Sequence, residues 1–224
     1  MGRENFFWHK LHSLTGIVPI GFYLLQHLTL NTFSLAGPDK YNSVSAFFYN
    51  MPEHLLWAIE ITLIYIPLLF HAVYGLFIAS RAKANYFTSN YKWSQNRMYT
   101  LQRWSGIFLF FFIIWHVAQT TLQVKLYGAE RVSFDHMHNL FMINGYAFLV
   151  LYAIGVLAAS YHLCYGLWNF CIRWGITIGE RAQIGMQKFS FALFLVVTAI
   201  GWLALLGFFL RGSGSSEPIT AIIP

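Results

Sequence analysis

Four histidines occupy matching points of a loose internal repeat in this sequence. His71 begins the run His-Ala-Val-Tyr-Gly-Leu, and His162 begins His-Leu-Cys-Tyr-Gly-Leu 91 residues later. His27 and His116 form a second matched set, 89 residues apart, and all four lie in otherwise apolar runs. Two neutral imidazoles on facing helices are the axial ligands that a low-spin haem iron takes. The pattern therefore predicts four axial ligands for two haems.

The composition predicts a membrane protein. Of 224 residues, 57% are hydrophobic and only 10% are charged, whereas a soluble domain carries roughly a quarter charged residues. Helices satisfy their own backbone polar groups in lipid, and strand-like alternation is absent from the apolar runs. The net charge of +6 comes mainly from Lys and Arg residues in the connections on one side of the membrane. It therefore indicates topology and not nucleic-acid binding.

We predict an all-α membrane fold with five transmembrane helices. Helices I–IV form a haem-binding four-helix bundle with an internal two-helix repeat, which is a common place for cofactor sites. Each run exceeds the roughly 20 residues that cross a bilayer. The predicted spans are approximately 11–33, 54–80, 99–126, 141–172 and 189–210.

Basic residues predict the orientation. Ten of the 14 Lys and Arg residues fall on one side, including Lys83 and Lys92, and four fall on the other. The positive-inside rule then makes the N-terminus cytoplasmic, in a multi-pass protein of the plasma membrane. We assign 1–210 to the five-helix, haem-binding transmembrane domain and 211–224 to a flexible C-terminal tail.

This topology sorts the histidines by depth. Spans I and III run outward, so His27 and His116 lie toward the outside and are called the outer pair. Spans II and IV run inward, so His71 and His162 form the inner pair. Each haem would thus take one ligand from each half of the repeat.

Glycines lie on the faces that carry these histidines. Gly75 and Gly166 follow their histidine by four residues, and Gly16 and Gly106 precede theirs by about three turns. A missing side chain there lets a flat macrocycle approach the helix. The alternative is that these glycines only allow close helix–helix packing.

The sequence resembles the cytochrome b membrane anchor of succinate:quinone oxidoreductases, in the single-chain, five-helix, two-haem form of the Bacillus type. The likeness covers the chain to about Leu210. It rests on these runs: Lys10-Leu-His-Ser-Leu14, Gln26-His27-Leu28, Glu60-Ile61, Pro67-Leu-Leu-Phe-His71-Ala-Val-Tyr-Gly75, Leu101-Gln-Arg103, Trp115-His116-Val117, Gly166-Leu-Trp168 and Trp174-Gly-Ile-Thr177.

The resemblance implies an electron-transfer subunit of succinate dehydrogenase. Such an anchor binds a flavoprotein subunit and an iron–sulfur subunit on its cytoplasmic face. Electrons pass from the iron–sulfur subunit through two haem b groups to a quinone, usually menaquinone. No connection between the predicted spans is long enough for a soluble catalytic domain. The resemblance implies that quinone reacts at this subunit. The complex is also a candidate for a higher oligomer in the lipid.

The resemblance also assigns roles to single residues. His27 and His116 match the outer-haem ligands, and His71 and His162 match the inner-haem ligands. Residues at the Ser13 and Arg103 positions resemble those directed at haem propionates, and His12 lies beside Ser13. A hydroxyl, an imidazole and a guanidinium can all donate to an anionic propionate. For Arg103, the alternative is an ordinary basic flank of a span.

Glu60 is the only acidic residue well inside a predicted span. A buried carboxylate is either protonated or held by a partner. We predict that Glu60 accepts or relays a proton in quinone chemistry near the outer haem. The alternative is a polar contact to a loop, with Lys40 or Arg131 as its partner.

Three other functions fit parts of the pattern. One is a haem b anchor of another quinone-linked oxidoreductase, which its soluble partner would reveal. Another is a transporter without haem that uses intramembrane histidines. The last is a passive anchor whose histidines merely pack, and it predicts a colourless protein.

Overall fold

The computed structural model describes residues 3–82 and 94–211, and every regular element in them is helical. Five helices are long and apolar enough to cross a membrane. The all-α prediction with five spans is confirmed for these residues. Lys83, Lys92 and the tail from Gly212 lie outside the described residues. Spans I to V run Phe6–Ala36, Glu53–Arg81, Asn96–Tyr127, Gly145–Arg173 and Glu180–Arg211.

Span I is interrupted near its middle. The α-helix Arg3–Ile17 ends two residues before Pro19, and a second α-helix covers Pro19–Asn31. Proline has no N–H and clashes with the preceding turn, so it begins a helix more easily than it continues one. A 3-10 turn, Thr32–Ala36, and a surface helix, Pro38–Tyr49, follow.

Span II contains a π-helical segment. The α-helix Glu53–Ile59 leads into the wider turn Glu60–Tyr65, and the α-helix Ile66–Arg81 follows. Pro67 stands at the start of that last helix, where its missing N–H costs little. π-helical turns recur at functional sites, and this one begins at Glu60.

Span III is also divided. Span III joins the helix Ser94–Gln119 to the short helix Thr121–Tyr127, and the 3-10 turn Ala129–Val132 follows. Span IV belongs to the long helix Phe134–Arg173, which Ser133 caps by accepting the His136 backbone N–H. Within it, Gly145 and Tyr146 take left-handed backbone angles, with φ of 64° and 68°.

The spans pack in chain order. Span I contacts span II, II contacts III, III contacts IV, and IV closes on I, so the first four surround one interior. Span V, the helix Glu180–Arg211, lies outside this ring against spans IV and I. The buried Ser34 hydroxyl donates to the Ala204 carbonyl at 2.7 Å, which fixes span V to the C-terminal end of span I.

Two connections differ from the predicted loops. Span V begins at Glu180 rather than near 189, because polar residues such as Gln183 and Lys188 extend the helix beyond its apolar part. The predicted outer loop 35–53 contains the helix Pro38–Tyr49, whose Tyr41 is buried. Hydropathy marks only the apolar portion of a helix, which explains both differences.

Candidate haem sites

The inner pair lies in the interior between spans II and IV. The ring centroids of His71 and His162 are 6.1 Å apart, and their planes are nearly perpendicular at 87°. The Nδ1 atom of His71 lies 2.9 Å from the His12 carbonyl. The Nδ1 atom of His162 lies 3.2 Å from the carbonyl of Gln102.

These two hydrogen bonds repeat in the two halves of the chain. His71 and its acceptor are 59 residues apart, and His162 and its acceptor are 60 residues apart. When Nδ1–H donates to a carbonyl, the proton is on Nδ1 and the Nε2 lone pair is free to bind a metal. Ser105 reinforces the second site, since its Oγ lies 3.1 Å from the Nδ1 of His162.

The outer pair lies between spans I and III. The ring centroids of His27 and His116 are 5.9 Å apart, with planes at 82°. The Nδ1 atom of His116 lies 3.1 Å from the hydroxyl oxygen of Tyr152 on span IV. The His116 ring also stacks on Phe112, and Tyr23 flanks His27 at 5.5 Å between centroids.

Both pairs suit two-sided ligation of one iron. Metal–imidazole bonds of about 2 Å on opposite faces of a haem place the ring centroids roughly 6 Å apart, which is close to the separation in each pair. Within the described residues, no cluster of three or more His, Cys, Asp or Glu side chains is arranged to hold a bare metal ion. Two imidazoles that face each other across such a gap are the ligand set that a low-spin haem iron takes.

Two of the predicted glycines touch the inner pair. A Cβ built on Gly16 would overlap the His71 ring, and one on Gly106 would lie 2.8 Å from Cε1 of His162. Gly75 and Gly166 instead face His12 and Gln102 on the neighbouring spans. Gly16 and Gly106 thus leave room for the inner-pair imidazoles rather than for those of the outer pair.

His12 and Ser13 lie at the inner pair. The His12 ring stacks on His71 with 4.1 Å between centroids, and its buried Nδ1 has no hydrogen-bond partner among the described residues. The Ser13 hydroxyl donates to the Lys10 carbonyl at 2.8 Å and accepts the Trp174 indole N–H at 3.1 Å. His12 therefore has a ring nitrogen available to a propionate, whereas the Ser13 proton is used within its helix.

Arg103 lies one residue from Gln102 on span III. Its guanidinium carbon is 4.8 Å from the centre of the Tyr99 ring, a distance typical of a cation–π contact. The residue is thus placed one turn before Gly106 and near the inner end of the span. This location is compatible with both predicted roles of Arg103, a hydrogen-bond donor to a haem propionate and a basic residue flanking the span.

Glu60 pairs with Lys125, which was not one of its predicted partners. Its Oε2 atom lies 3.1 Å from Nζ of Lys125, and both side chains are mostly buried. Lys125, rather than the predicted partners Lys40 and Arg131, pairs with Glu60, and it lies on the short helix Thr121–Tyr127. Lys125 also lies 4.4 Å from the centre of the Trp57 ring.

Tyrosines surround this ion pair. Tyr23, Tyr49 and Tyr65 lie within electrostatic reach of the Glu60 carboxylate. Tyr49 lies at the end of the surface helix. Its pKa is raised to about 12, first by burial and then by the negative charge of Glu60. Tyr23 also flanks His27, so one neighbour of the outer pair lies within electrostatic reach of Glu60.

The chain is similar to proteins of known function. Residues 83–210 match the family described as succinate dehydrogenase/fumarate reductase transmembrane subunit. The chain is also similar to the succinate dehydrogenase cytochrome b558 subunit of Bacillus subtilis (strain 168). The two are 37% identical over 207 residues, which cover 92% of this chain and 98% of that relative.

Proposed function

Because this chain belongs to the succinate dehydrogenase/fumarate reductase transmembrane subunit family, we propose that it transfers electrons to quinone through two haem b groups. It is the cytochrome b membrane anchor of a succinate dehydrogenase, with five membrane spans. The observation that carries the haem proposal is the placement of two histidine pairs, each about 6 Å between ring centroids.

The chain positions the imidazoles for this role. The carbonyls of His12 and Gln102 accept from the inner pair, and so hold Nδ1 protonated and Nε2 free. Bound haem supplies one-electron chemistry whose potential depends on ligand basicity, burial and hydrogen bonding. His12 and Arg103 are the proposed donors to the propionates of the inner haem, and Ser13 joins them if its hydroxyl turns away from Lys10.

Glu60 is the proposed proton relay for quinone. Reduction of a quinone to a quinol takes up two electrons and two protons, and the reverse reaction releases them. Tyr23 flanks His27 of the outer pair and lies within electrostatic reach of Glu60, whose carboxylate pairs with Lys125 at 3.1 Å. That carboxylate accepts a proton from a quinol oxygen, or donates one after it has been protonated. Menaquinone is the quinone that we propose.

The soluble partners are a flavoprotein subunit and an iron–sulfur subunit. We place them on the cytoplasmic side, at the inner ends of the spans, with the N-terminus on that side of the plasma membrane. Ten of 14 basic residues fall on this side by the predicted topology. The inner pair lies next to Ser13, which Trp174 contacts from the connection between spans IV and V.

The Glu60 proposal is tested in the purified complex with Glu60→Gln and Lys125→Met. Removing a positioned acid–base group typically lowers turnover by roughly 100-fold or more, so succinate:quinone activity should fall while the haem spectrum stays intact. Glu53→Gln is the matched control on the same span, because its carboxylate contacts Trp57 and not Lys125. Normal quinone turnover in Glu60→Gln would rule out the relay.

A further inference from the structure

The two histidine pairs differ in what accepts their Nδ1 protons. Both inner-pair imidazoles are hydrogen-bonded to backbone carbonyls. In the outer pair, His116 is hydrogen-bonded to a side chain, the phenol of Tyr152, at 3.1 Å. A backbone carbonyl is present whatever the side chain is, whereas a phenol can be removed by a single substitution.

Tyr152 is held rigidly at this position. Its side chain is only 7% exposed, and its ring packs edge-on against Phe112 and Phe141, with centroids 5.7 and 4.9 Å away. Trp115 closes a third side at 5.4 Å. A phenol fixed in this way has little freedom to leave the imidazole, so the hydrogen bond constrains the orientation of the His116 ring.

We propose that Tyr152 is the positioning residue of the outer haem site, setting the orientation and basicity of His116. This inference rests on the proposed function, since it requires haem at the outer pair. With iron on Nε2, the Nδ1–H group of His116 donates to the phenol oxygen. Such a partner fixes the tautomer and raises the basicity of the ligand, which favours ferric over ferrous iron.

Tyr152→Phe tests the assignment, because phenylalanine keeps the ring packing and removes only the acceptor. Without it, His116 is a weaker donor to iron. The reduction potential of the outer haem should therefore rise, and the affinity of the outer site for haem should fall by roughly 10- to 100-fold, seen as lower outer-haem occupancy under haem-limited assembly. The inner haem, whose imidazoles use carbonyl acceptors, should keep its potential and its spectrum.

The matched control is Tyr41→Phe. Tyr41 belongs to the same buried cluster as Tyr152, but its ring packs on Phe134 and Phe208 rather than on a histidine. Redox titration followed by visible and electron paramagnetic resonance spectra resolves the two haems. His116→Ala, which removes the outer ligand, identifies the outer signal.

A change confined to the outer signal in Tyr152→Phe, with Tyr41→Phe unchanged, supports the assignment. Unchanged potentials and occupancy for both haems would overturn it. Equal changes in both haems would also overturn it, because a general packing defect would act on both sites. A wild-type complex without haem at the outer pair would instead contradict the proposed function, independently of the variants.

Discussion

At the residue scale, two glycines determine how closely the inner-pair rings approach the neighbouring helices. Gly16 faces the His71 ring and Gly106 faces the His162 ring, each without space for a Cβ atom. They occupy equivalent places in the two halves of the repeat. The inner pair thus depends on spans I and III as much as on the spans that carry its histidines.

Gly16→Ala should displace His71 and weaken the inner site. Overpacking of this kind costs about 1–3 kcal/mol, which is about a 5- to 150-fold loss of binding. Haem quantification and the reduced spectrum should show loss of the inner component with the outer one retained. Gly185→Ala is the control, since a Cβ there meets nothing within 4 Å. Full inner-haem occupancy in Gly16→Ala would contradict the proposed contact.

Residues at matching points of a repeat lie at matching depths in the membrane. The repeat therefore predicted which histidines approach each other, and the same two pairs lie together in the structure. Tyr152 and Lys125 were not predicted as site residues. In a chain with 19% aromatic residues, one tyrosine has no distinguishing pattern. Lys125 was counted only as an outer-side basic residue, and its pairing with Glu60 depends on the turn after Thr120, which sequence periodicity does not show.

At the element scale, small residues let span V pack against the end of span I. A Cβ on Gly207 would overlap Ser34, whose hydroxyl bonds the Ala204 carbonyl. The apolar run predicted the presence of span V. It did not predict this contact, because span V has no histidine or repeat partner to indicate where it lies.

Gly207→Ala should act as a wedge between these two elements. The predicted cost is about 1–3 kcal/mol, seen as a lower unfolding temperature of the detergent-solubilised complex. The haem spectrum at low temperature should stay normal, because Ser34 lies on the 3-10 turn Thr32–Ala36, beyond the helix that carries His27. An unchanged unfolding temperature, equal to that of Gly185→Ala, would show that the interface relaxes at no cost.

At the scale of the whole molecule, the connection between spans IV and V presents exposed apolar side chains. Ile178 is 83% exposed and Ile176 is 64% exposed. Gln183 steadies the loop by donating to the Thr177 and Ile178 carbonyls. Because Trp174 of the same loop contacts Ser13, a subunit bound here would lie close to the inner pair.

Ile178→Glu should therefore reduce co-purification of the flavoprotein and iron–sulfur subunits by roughly 10-fold, since a desolvated charge in an interface is costly. Haem content of the anchor should remain normal. The control is Leu126→Glu, an equally polar change at an exposed residue near the opposite end of span III. Equal loss of the soluble subunits in both variants, or in neither, would argue against docking at this loop.

The central claim is that the two histidine pairs each bind one haem b. The most direct measurement is a reduced-minus-oxidised visible spectrum of the purified complex, with haem quantified per chain. The claim predicts two low-spin b-type haems, one of which is lost in His27→Ala and the other in His71→Ala. The claim would be contradicted by a folded complex that holds fewer than two haems per chain after assembly with excess haem. Variants that lose neither haem would also contradict it.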